Sequence, residues 1–303
     1  MKLLVNNIAI EERQIWLLEQ SYNGVVQWPA LKNVDTNDWA EYDGIEPDLT
    51  NPVLDSRKVS FKVYAKGYSK YEEFIEELLE NGYNDFYFPE LGQHYTMRLN
   101  GSKLIDQYDE GQVFSLEFTE DLFIDRNSAI ITQGWSHNSG FSIDGTDLGV
   151  YGISVLEGTL TQFRQMPGTK QRLLISENSM AGAVYDATAE QMLREQDMQL
   201  KVLMRAWNVE MLMHNYYTFL SMLTAPSERY LYCEQTMEEV PFFYKSQSVQ
   251  GVILSGLSSG LVGIEFTINI CVIEREKEQT LYLVDDDGNI ILMTDNDNLL
   301  KEG

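Results

Sequence analysis

Histidines and cysteines are frequent in metal sites and as catalytic bases or nucleophiles. This chain of 303 residues has three histidines and two cysteines. We expect His94 just before a strand, His137 in a linker and His214 within a helix, at none of the spacings that zinc sites use. Cys233 and Cys271 are too few for a disulfide framework, and we expect both to be buried free thiols. The sequence therefore predicts no metal site and no cofactor.

Paired carboxylates could hydrolyse a glycosidic bond, and Glu117 and Glu265 recur in two similar strands, LEFT and IEFT. Each glutamate alternates with apolar residues, so both are expected on the outer face of a sheet, in solvent or in an interface. The glycine-rich run GLSSG at 256–260 lies between two strands and predicts a wide turn. A hydrolase stays open as an alternative, but the sequence predicts a protein with no enzymatic activity.

The net charge of −25, from 47 acidic and 22 basic residues, is the most unusual feature of the composition. Both halves of the chain share the excess of carboxylates. Since binding to nucleic acids and to anionic membranes depends on lysine and arginine, this charge argues against either partner. Polar residues interrupt the apolar run at 212–223, so no bilayer-spanning helix is expected, and residues 1–20 are not expected to form a secretory signal.

One unusual stretch occurs twice in the chain. LLEQSYNGVVQWPALK at 17–32 resembles VLEGTLTQFRQMPGTK at 155–170, and LLVNN at 3–7 falls on FSIDG at 141–145 with the same spacing. A constant spacing over such a distance indicates a duplication. The shared residues of the longer match are Leu18 and Leu156, Glu19 and Glu157, Gln27 and Gln165, Pro29 and Pro167, and Lys32 and Lys170.

Each copy then contains one amphipathic helix. In the first copy Ser69 and Glu72 form the pattern of a capping box, and Asn81-Gly82 is a stop signal. In the second copy Asn208 is the expected N-cap and Pro226 closes the helix. Strands precede and follow each helix in matching pairs: VSFKVYA (59–65) with LKVLMRA (200–206), FYF (86–88) with YLY (230–232), YTMRL (95–99) with FFYKS (242–246), and LEFT (116–119) with IEFT (264–267).

These patterns predict an α+β protein with two tandem β-rich domains, each an antiparallel sandwich or barrel-like sheet with one main helix. We expect the first domain at 1–134 and the second at 135–274, with the linker at about 126–140. Residues 275–303 have no counterpart and predict a C-terminal β-hairpin that turns at Asp287-Gly288. The acidic turn lacks the spaced ligands and distal glutamate of a calcium loop.

The repeated unit resembles the tail-tube fold of phage tail-tube, distal tail and baseplate-hub proteins. The resemblance rests on VSFKVYA leading into the helix at 69–79, then FYF, YTMRL and the closing strand FSLEFTEDLF at 114–123. The stretch IDGTDLGVYGISVLEGTL at 143–160 is also similar to tail proteins of phages and prophages. Distal tail proteins usually carry one such domain, whereas this chain is predicted to carry two.

The resemblance implies a non-enzymatic ring subunit of a virion tail, made in the cytoplasm of the bacterial host. Its partners would be copies of itself, as a hexamer or as a trimer that forms a pseudo-hexamer, and other tail proteins. Rings of this family have electronegative lumens through which DNA passes without specific binding, and the charge of −25 agrees with that.

The repeated polar residues Glu19, Lys32, Glu157 and Lys170 are the candidate subunit contacts, because a duplicated side chain is better suited to a repeated contact than to one asymmetric reaction. The alternative function is a carbohydrate- or host-surface-binding module. Five tryptophans and 17 tyrosines could line a sugar platform.

Overall fold

The computed structural model describes residues 2–19, 21–122, 137–171, 174–175, 181–182, 184–185, 190–254, 260–275, 283–284, 290–293 and 299–301. Most of the predicted linker at 126–140 and the predicted turn at Asp287-Gly288 lie outside these residues. We call residues 2–122 the first unit and residues 137–275 the second unit. The domain boundaries themselves stay a prediction.

The first unit is built on an antiparallel sheet of seven strands in the order β2-β1-β7-β8-β9-β6-β3. Strands β4 and β5 form a separate two-stranded ribbon in the loop between β3 and β6. The strands are β1 (Leu4–Val5), β2 (Ile8–Ala9), β3 (Ile15–Leu17), β4 (Thr36–Asn37), β5 (Glu46–Pro47), β6 (Arg57–Ala65), β7 (Tyr83–Phe88), β8 (Gln93–Gln107) and β9 (Gln112–Glu120).

The second unit repeats this sheet, in the order β11-β10-β16-β17-β18-β15-β12. Taken in chain order, every strand occupies the position of its counterpart in the first sheet. The strands are β10 (Phe141–Ile143), β11 (Thr146–Asp147), β12 (Ile153–Val155), β13 (Leu174–Ile175), β14 (Val184–Tyr185), β15 (Gln196–Ala206), β16 (Arg229–Cys233), β17 (Glu238–Ile253) and β18 (Val262–Val272), with β13 and β14 forming a ribbon of their own.

β-Bulges fix the correspondence between the two sheets. The pairing of β8 with β9 shifts after Leu99 and again after Leu104, and the pairing of β17 with β18 shifts after Tyr244 and again after Val249. Because each bulge adds an unpaired residue and bends its strand, two bulges at equal spacing give both long strands the same shape. The equivalence therefore extends to the backbone irregularities of the sheet.

This register corrects several of the sequence matches. Leu99 pairs with Phe118, and its counterpart Tyr244 pairs with Ile270, so Phe118 corresponds to Ile270. LEFT at 116–119 therefore corresponds to residues 268–271, and its predicted match with IEFT is wrong. The matches of VSFKVYA and YTMRL are each displaced by two residues, and that of FYF by one. An even shift along a strand preserves which side chains face inward, so the three segments shifted by two or four residues look alike in sequence.

The two main helices are α1 (Tyr68–Asn81) and α3 (Val209–Leu223), and a short helix α2 (Thr159–Phe163) follows β12. The N-cap of α3 is Asn208, as expected, and its side chain accepts a hydrogen bond from the backbone N–H of Met211 at 2.8 Å. The N-cap of α1 is Gly67, which makes no side-chain bond, so the capping box at Ser69 is wrong. Three turns of 3₁₀-helix complete the units, at Ile10–Arg13, Asn23–Val26 and Leu148–Tyr151.

Alternation of buried residues in β6 and β15 turns one face of each sheet toward its helix. In β6 the buried residues include Val59, Phe61 and Val63, while Ser60 and Lys62 between them are exposed. Most of the buried apolar side chains of both units belong to one continuous cluster. The structure confirms the predicted class, a β-rich α+β protein with antiparallel sheets.

The C-terminal strands are β19 (Leu283–Val284), β20 (Ile290–Met293) and β21 (Leu299–Lys301). Strand β19 pairs antiparallel with β20, as the predicted hairpin requires, and β21 adds a third strand that the sequence pattern did not indicate. Within the described residues, no helix has the length and apolar character needed to span a membrane.

The two helix starts provide a direct comparison. We expect Asn208→Ala to lower the free energy of unfolding by about 1 kcal/mol, because an N-cap side chain satisfies a backbone N–H of the first turn. Ser69→Ala should change it by no more than about 0.5 kcal/mol, since Ser69 is exposed and caps nothing. Urea unfolding followed by circular dichroism measures both values, and equal losses would contradict the cap assignment.

Candidate assembly surfaces

The two units of the chain join through a segment of the first unit. Residues 23–31, here called the insert segment, follow β3 and lie along β17 of the second unit. The backbone N–H of Leu31 donates to the carbonyl of Lys245 at 2.9 Å, and the side-chain amide of Asn23 donates to the carbonyl of Gln250 at 3.1 Å. Both carbonyls belong to the part of β17 beyond its pairing with β16, so the insert segment covers a stretch of sheet edge.

Tyrosines of the second unit satisfy the buried carbonyls of the insert segment. The hydroxyl of Tyr216 donates to the carbonyl of Val26, and that of Tyr244 donates to the carbonyl of Pro29, both at 2.8 Å. Burial raises the pKa of Tyr216 and of Tyr244 well above the ordinary value of a tyrosine, so both hydroxyls stay protonated and can donate. These bonds matter because a buried carbonyl without a partner destabilises a fold by about 1–3 kcal/mol.

Trp28 is the largest side chain of the insert segment, and only 1 % of its surface is exposed. Its backbone N–H donates to the side-chain carbonyl of Gln247 at 2.7 Å, and the amide nitrogen of Gln247 donates to the hydroxyl of Tyr216 at 2.6 Å. The indole lies 5.9 Å from the ring of Tyr217, whose hydroxyl is 2.8 Å from that of Tyr95 in β8. Strand β17, helix α3 and the first sheet therefore meet around one tryptophan.

Arg57 holds the insert segment from the first unit. Its guanidinium pairs with the buried carboxylate of Glu120, donates to the carbonyls of Val25 (2.7 Å) and Gln27, and lies over the ring of Tyr95 at 4.9 Å. A buried arginine needs such a set of acceptors to offset the loss of hydration. The ion pair thus fixes the segment whose other side is bound by the second unit.

A second contact covers the outer face of the second sheet. Leu49 of the loop between β3 and β6 packs in a small apolar cluster with Phe243, Cys271 and Ile273. Gly44 in the same loop has a φ of +65°, and a Cβ atom there would overlap the carbonyl oxygen of Ile273. This loop therefore lies close enough to the second unit that glycine is required.

Three of the four predicted contact residues lie on the surface. Glu19 and Glu157 follow β3 and β12 at equivalent positions, and both are exposed, as is Lys32. The backbone N–H of Lys32 donates to the carbonyl of Val53 at 2.8 Å. These three residues stay predicted subunit contacts.

Lys170 differs from the other three, since only 8 % of its surface is exposed. Its Nζ donates to a carboxylate oxygen of Asp38 at 2.5 Å and to the carbonyl of Trp39 at 2.7 Å. Both acceptors belong to the first unit, so this lysine makes a contact within the chain. We therefore withdraw it as a candidate contact between chains.

The histidines lie on three separate elements. His94 in β8 is 2.9 Å from a carboxylate oxygen of Asp85, His137 is 2.9 Å from the hydroxyl of Ser154, and His214 lies on α3. In the part of the chain that the structure describes, no three acidic, histidine or cysteine side chains are grouped as a metal site would need. Glu117 is exposed on the outer face of its sheet, as expected.

Three tryptophans are relevant to the alternative function of sugar binding. Trp16 in β3, Trp39 in the loop between β4 and β5, and Trp207 after β15 are each more than a third exposed. Such rings can stack on sugars, but they lie on three different elements of the two units. A common sugar platform stays a prediction.

No protein-family model matches the sequence, and no curated protein matches it either. Among solved structures, the chain is similar to the Dit (gp 19.1) protein of SPP1, described as a paradigm of the hub adsorption apparatus in phages that infect Gram-positive bacteria. The two chains are 10% identical, the comparison covers 89% of this chain and 98% of that one, and the TM-score is 0.30. At this level of similarity we base the proposal for function on contacts within this chain.

Removing Arg57 tests the anchor of the insert segment. We expect Arg57→Met to lower the free energy of unfolding by about 3–5 kcal/mol, because it leaves the Glu120 carboxylate buried without its cation. The double variant Arg57→Met/Glu120→Leu should recover part of that loss. Lys70→Met, which removes an exposed ion pair with Glu73, should cost no more than about 1 kcal/mol. Denaturant unfolding checks all three, and a double variant as unstable as the single one would show that the lost carbonyl contacts dominate.

The thiol of Cys271 can report on the loop that covers it. Burial raises its pKa from 9.0 to about 12, so its reactive thiolate at pH 8 is about a thousandfold rarer than that of an ordinary thiol. We expect little alkylation of Cys271 in the native protein and a large increase in Gly44→Ala, in which the new Cβ displaces the loop. The control is Gly92→Ala, since Gly92 also has a positive φ but its Cβ would meet no atom within 4 Å. Mass spectrometry of the labelled peptides measures both rates, and equal labelling in the two variants would contradict this contact.

Proposed function

We propose that this chain is a structural subunit of a phage or prophage tail, of the distal-tail, tube or hub type, that assembles into a ring with copies of itself. Its role would be non-enzymatic. Its site of action would be the virion tail, and its partners would be its own copies and neighbouring tail proteins.

The observation that carries this proposal is the contact between the two units. The first unit contributes the insert segment, and the second contributes a different surface, the edge of β17 and the buried face of α3. Two copies of one fold that join through unlike surfaces form a heterologous contact. When such a contact is repeated between chains, it produces a closed ring or an open filament, and both are the architectures of tubular assemblies.

The layout of each unit also supports a tail protein. The resemblance to the tail-tube fold rests on a strand that leads into one helix and is followed by a series of antiparallel strands. Both units have this layout, with β6, α1 and β7–β9 in the first and β15, α3 and β16–β18 in the second. A negatively charged lumen would let DNA pass without binding it, and the net charge of −25 agrees with such a lumen.

Immunogold electron microscopy of the phage that encodes this chain tests the proposal. We expect antibodies raised against the purified chain to label one fixed level of the tail in intact particles. Mass spectrometry of purified particles should find the chain at a small, constant copy number. Particles that lack the chain, with all of it free in the lysate, would contradict a role as tail component.

A further inference from the structure

The first sheet has an open edge at the place where the second sheet binds the insert segment. Strand β7 pairs with β8 only as far as Arg98, and residues 99–107, here called the β8 edge, have no strand on that side among the described residues. The equivalent stretch of β17 is the one that the insert segment covers. Beyond the first bulge every residue from 102 to 110 is exposed, including Leu104, Ile105 and Tyr108. Exposed apolar side chains along an unpaired strand edge are typical of an interaction surface.

The second unit has a segment equivalent to the insert segment, at residues 161–169. Its C-terminal end is held by the same pattern of backbone hydrogen bonds. In the first unit Lys32 donates its N–H to Val53 and Asp55 donates to Ala30, both at 2.8 Å. The counterparts of these bonds in the second unit are Lys170 to Met192 at 2.8 Å and Arg194 to Gly168 at 2.7 Å.

The two segments differ at several positions, and the largest side chain among them is a tryptophan. Trp28, which is buried against the second unit, corresponds to Met166, which is 58 % exposed. A methionine at this position can fill an irregular apolar site because its side chain is unbranched and flexible. In this chain the insert segment of the first unit is bound to the edge of β17. The equivalent segment of the second unit and the equivalent edge of β8 are both exposed.

We propose that residues 161–169 of one chain bind the β8 edge of a second copy of this chain, repeating the contact that the insert segment makes with β17. This inference rests on the proposed ring assembly and names the surfaces that would form it. Met166 would take the place of Trp28, and Leu104 is the counterpart of Val249, which packs against the continuous core cluster. The internal and external contacts would share one geometry. Each chain would therefore bind the next one head to tail, through residues 161–169 of one chain and the β8 edge of the other.

Charge complementarity between the two surfaces supports a second copy as the occupant. Aligned on their N-caps, Ile75 and Glu76 of α1 correspond to Tyr216 and Tyr217 of α3. Tyr216 contacts Val26 in the internal contact, and the counterpart of Val26 in the second unit is Arg164, which is exposed. The basic residue of the donor segment would thus lie beside the acidic face of α1, whose exposed glutamates are Glu72, Glu73, Glu76 and Glu80.

Analytical ultracentrifugation of the full chain over a concentration series tests the proposal. We expect Met166→Asp and Leu104→Asp each to weaken self-association by about tenfold or more, because each would bury an unpaired carboxylate in the contact. Met237→Asp is the matched control, since Met237 is 81 % exposed and lies outside both surfaces, and it should change the association by less than about twofold. Circular dichroism should show the same fold in all three variants.

Cross-linking between chains identifies the partners directly. By analogy with the bond from Leu31 to Lys245, residue 169 of one chain should lie beside residue 100 of the next. Chains carrying Thr169→Cys, mixed with chains carrying Asn100→Cys, should form a covalent dimer with a short bis-maleimide, and neither variant alone should do so. The two native cysteines are buried and should contribute little. The internal pair Leu31→Cys and Lys245→Cys, placed in one chain, serves as the positive control.

The outcomes separate this inference from the proposed function. A wild-type chain that stays monomeric at the highest soluble concentration overturns the inference. So does a chain that assembles equally well with Met166→Asp and Leu104→Asp and forms no cross-link between the two cysteine variants. Either result leaves the tail location standing if the virion is still labelled. Conversely, a specific cross-link between chains would support the contact. If the same chain were absent from virions, the proposed function would be overturned while the contact stood.

Discussion

The structure depends on hydrogen-bond donors for the backbone carbonyls of Val25, Val26, Gln27 and Pro29, which lie between the two units. A loop in such a position is unusual, because loops normally keep their polar groups in water. Here Arg57 from one side and Tyr216 and Tyr244 from the other donate to these carbonyls. Each donor is itself held by a further element, so the loop, both sheets and α3 are fixed together. Since a buried polar network is stable only when all of its members are satisfied, this contact fixes one arrangement of the units.

The sequence predicted the general plan of the fold correctly because the duplication preserved spacing where the backbone has little freedom. The match between residues 17–32 and 155–170 corresponds in the structure to a strand, a helical turn and an isolated bridge, which forms at Leu31 in one unit and at Thr169 in the other. The shifted strand matches have a physical origin as well. In a sheet any even displacement keeps the inward side chains apolar, so alternation alone identifies a strand but leaves its register undetermined.

The candidate site was less predictable, because a residue shared by the two copies can contact either its own chain or another one. Lys170 is a repeated residue, yet it is used within the chain, while its counterpart Lys32 is exposed. The more informative signal was a difference, Trp28 in one copy against Met166 in the other. Two copies of one fold that contact each other through unlike surfaces have different environments at equivalent positions. At such a pair of positions, a large aromatic residue in only one of the two copies is typical of the position that is buried.

The difference between the two contacts also explains why a duplicated chain would suit reversible assembly. In the internal contact a tryptophan, a glutamine and two tyrosines form a buried hydrogen-bonded network, and the covalent connection adds a high effective concentration. At the β8 edge the residues that correspond to Gln247 and Tyr216 are Ser102 and Ile75, which offer shorter or apolar side chains. A contact of that kind is weaker, and self-repulsion between chains of charge −25 opposes it further. The chain would then fold at any concentration, while its assembly would be reversible and would depend on the concentration of chains.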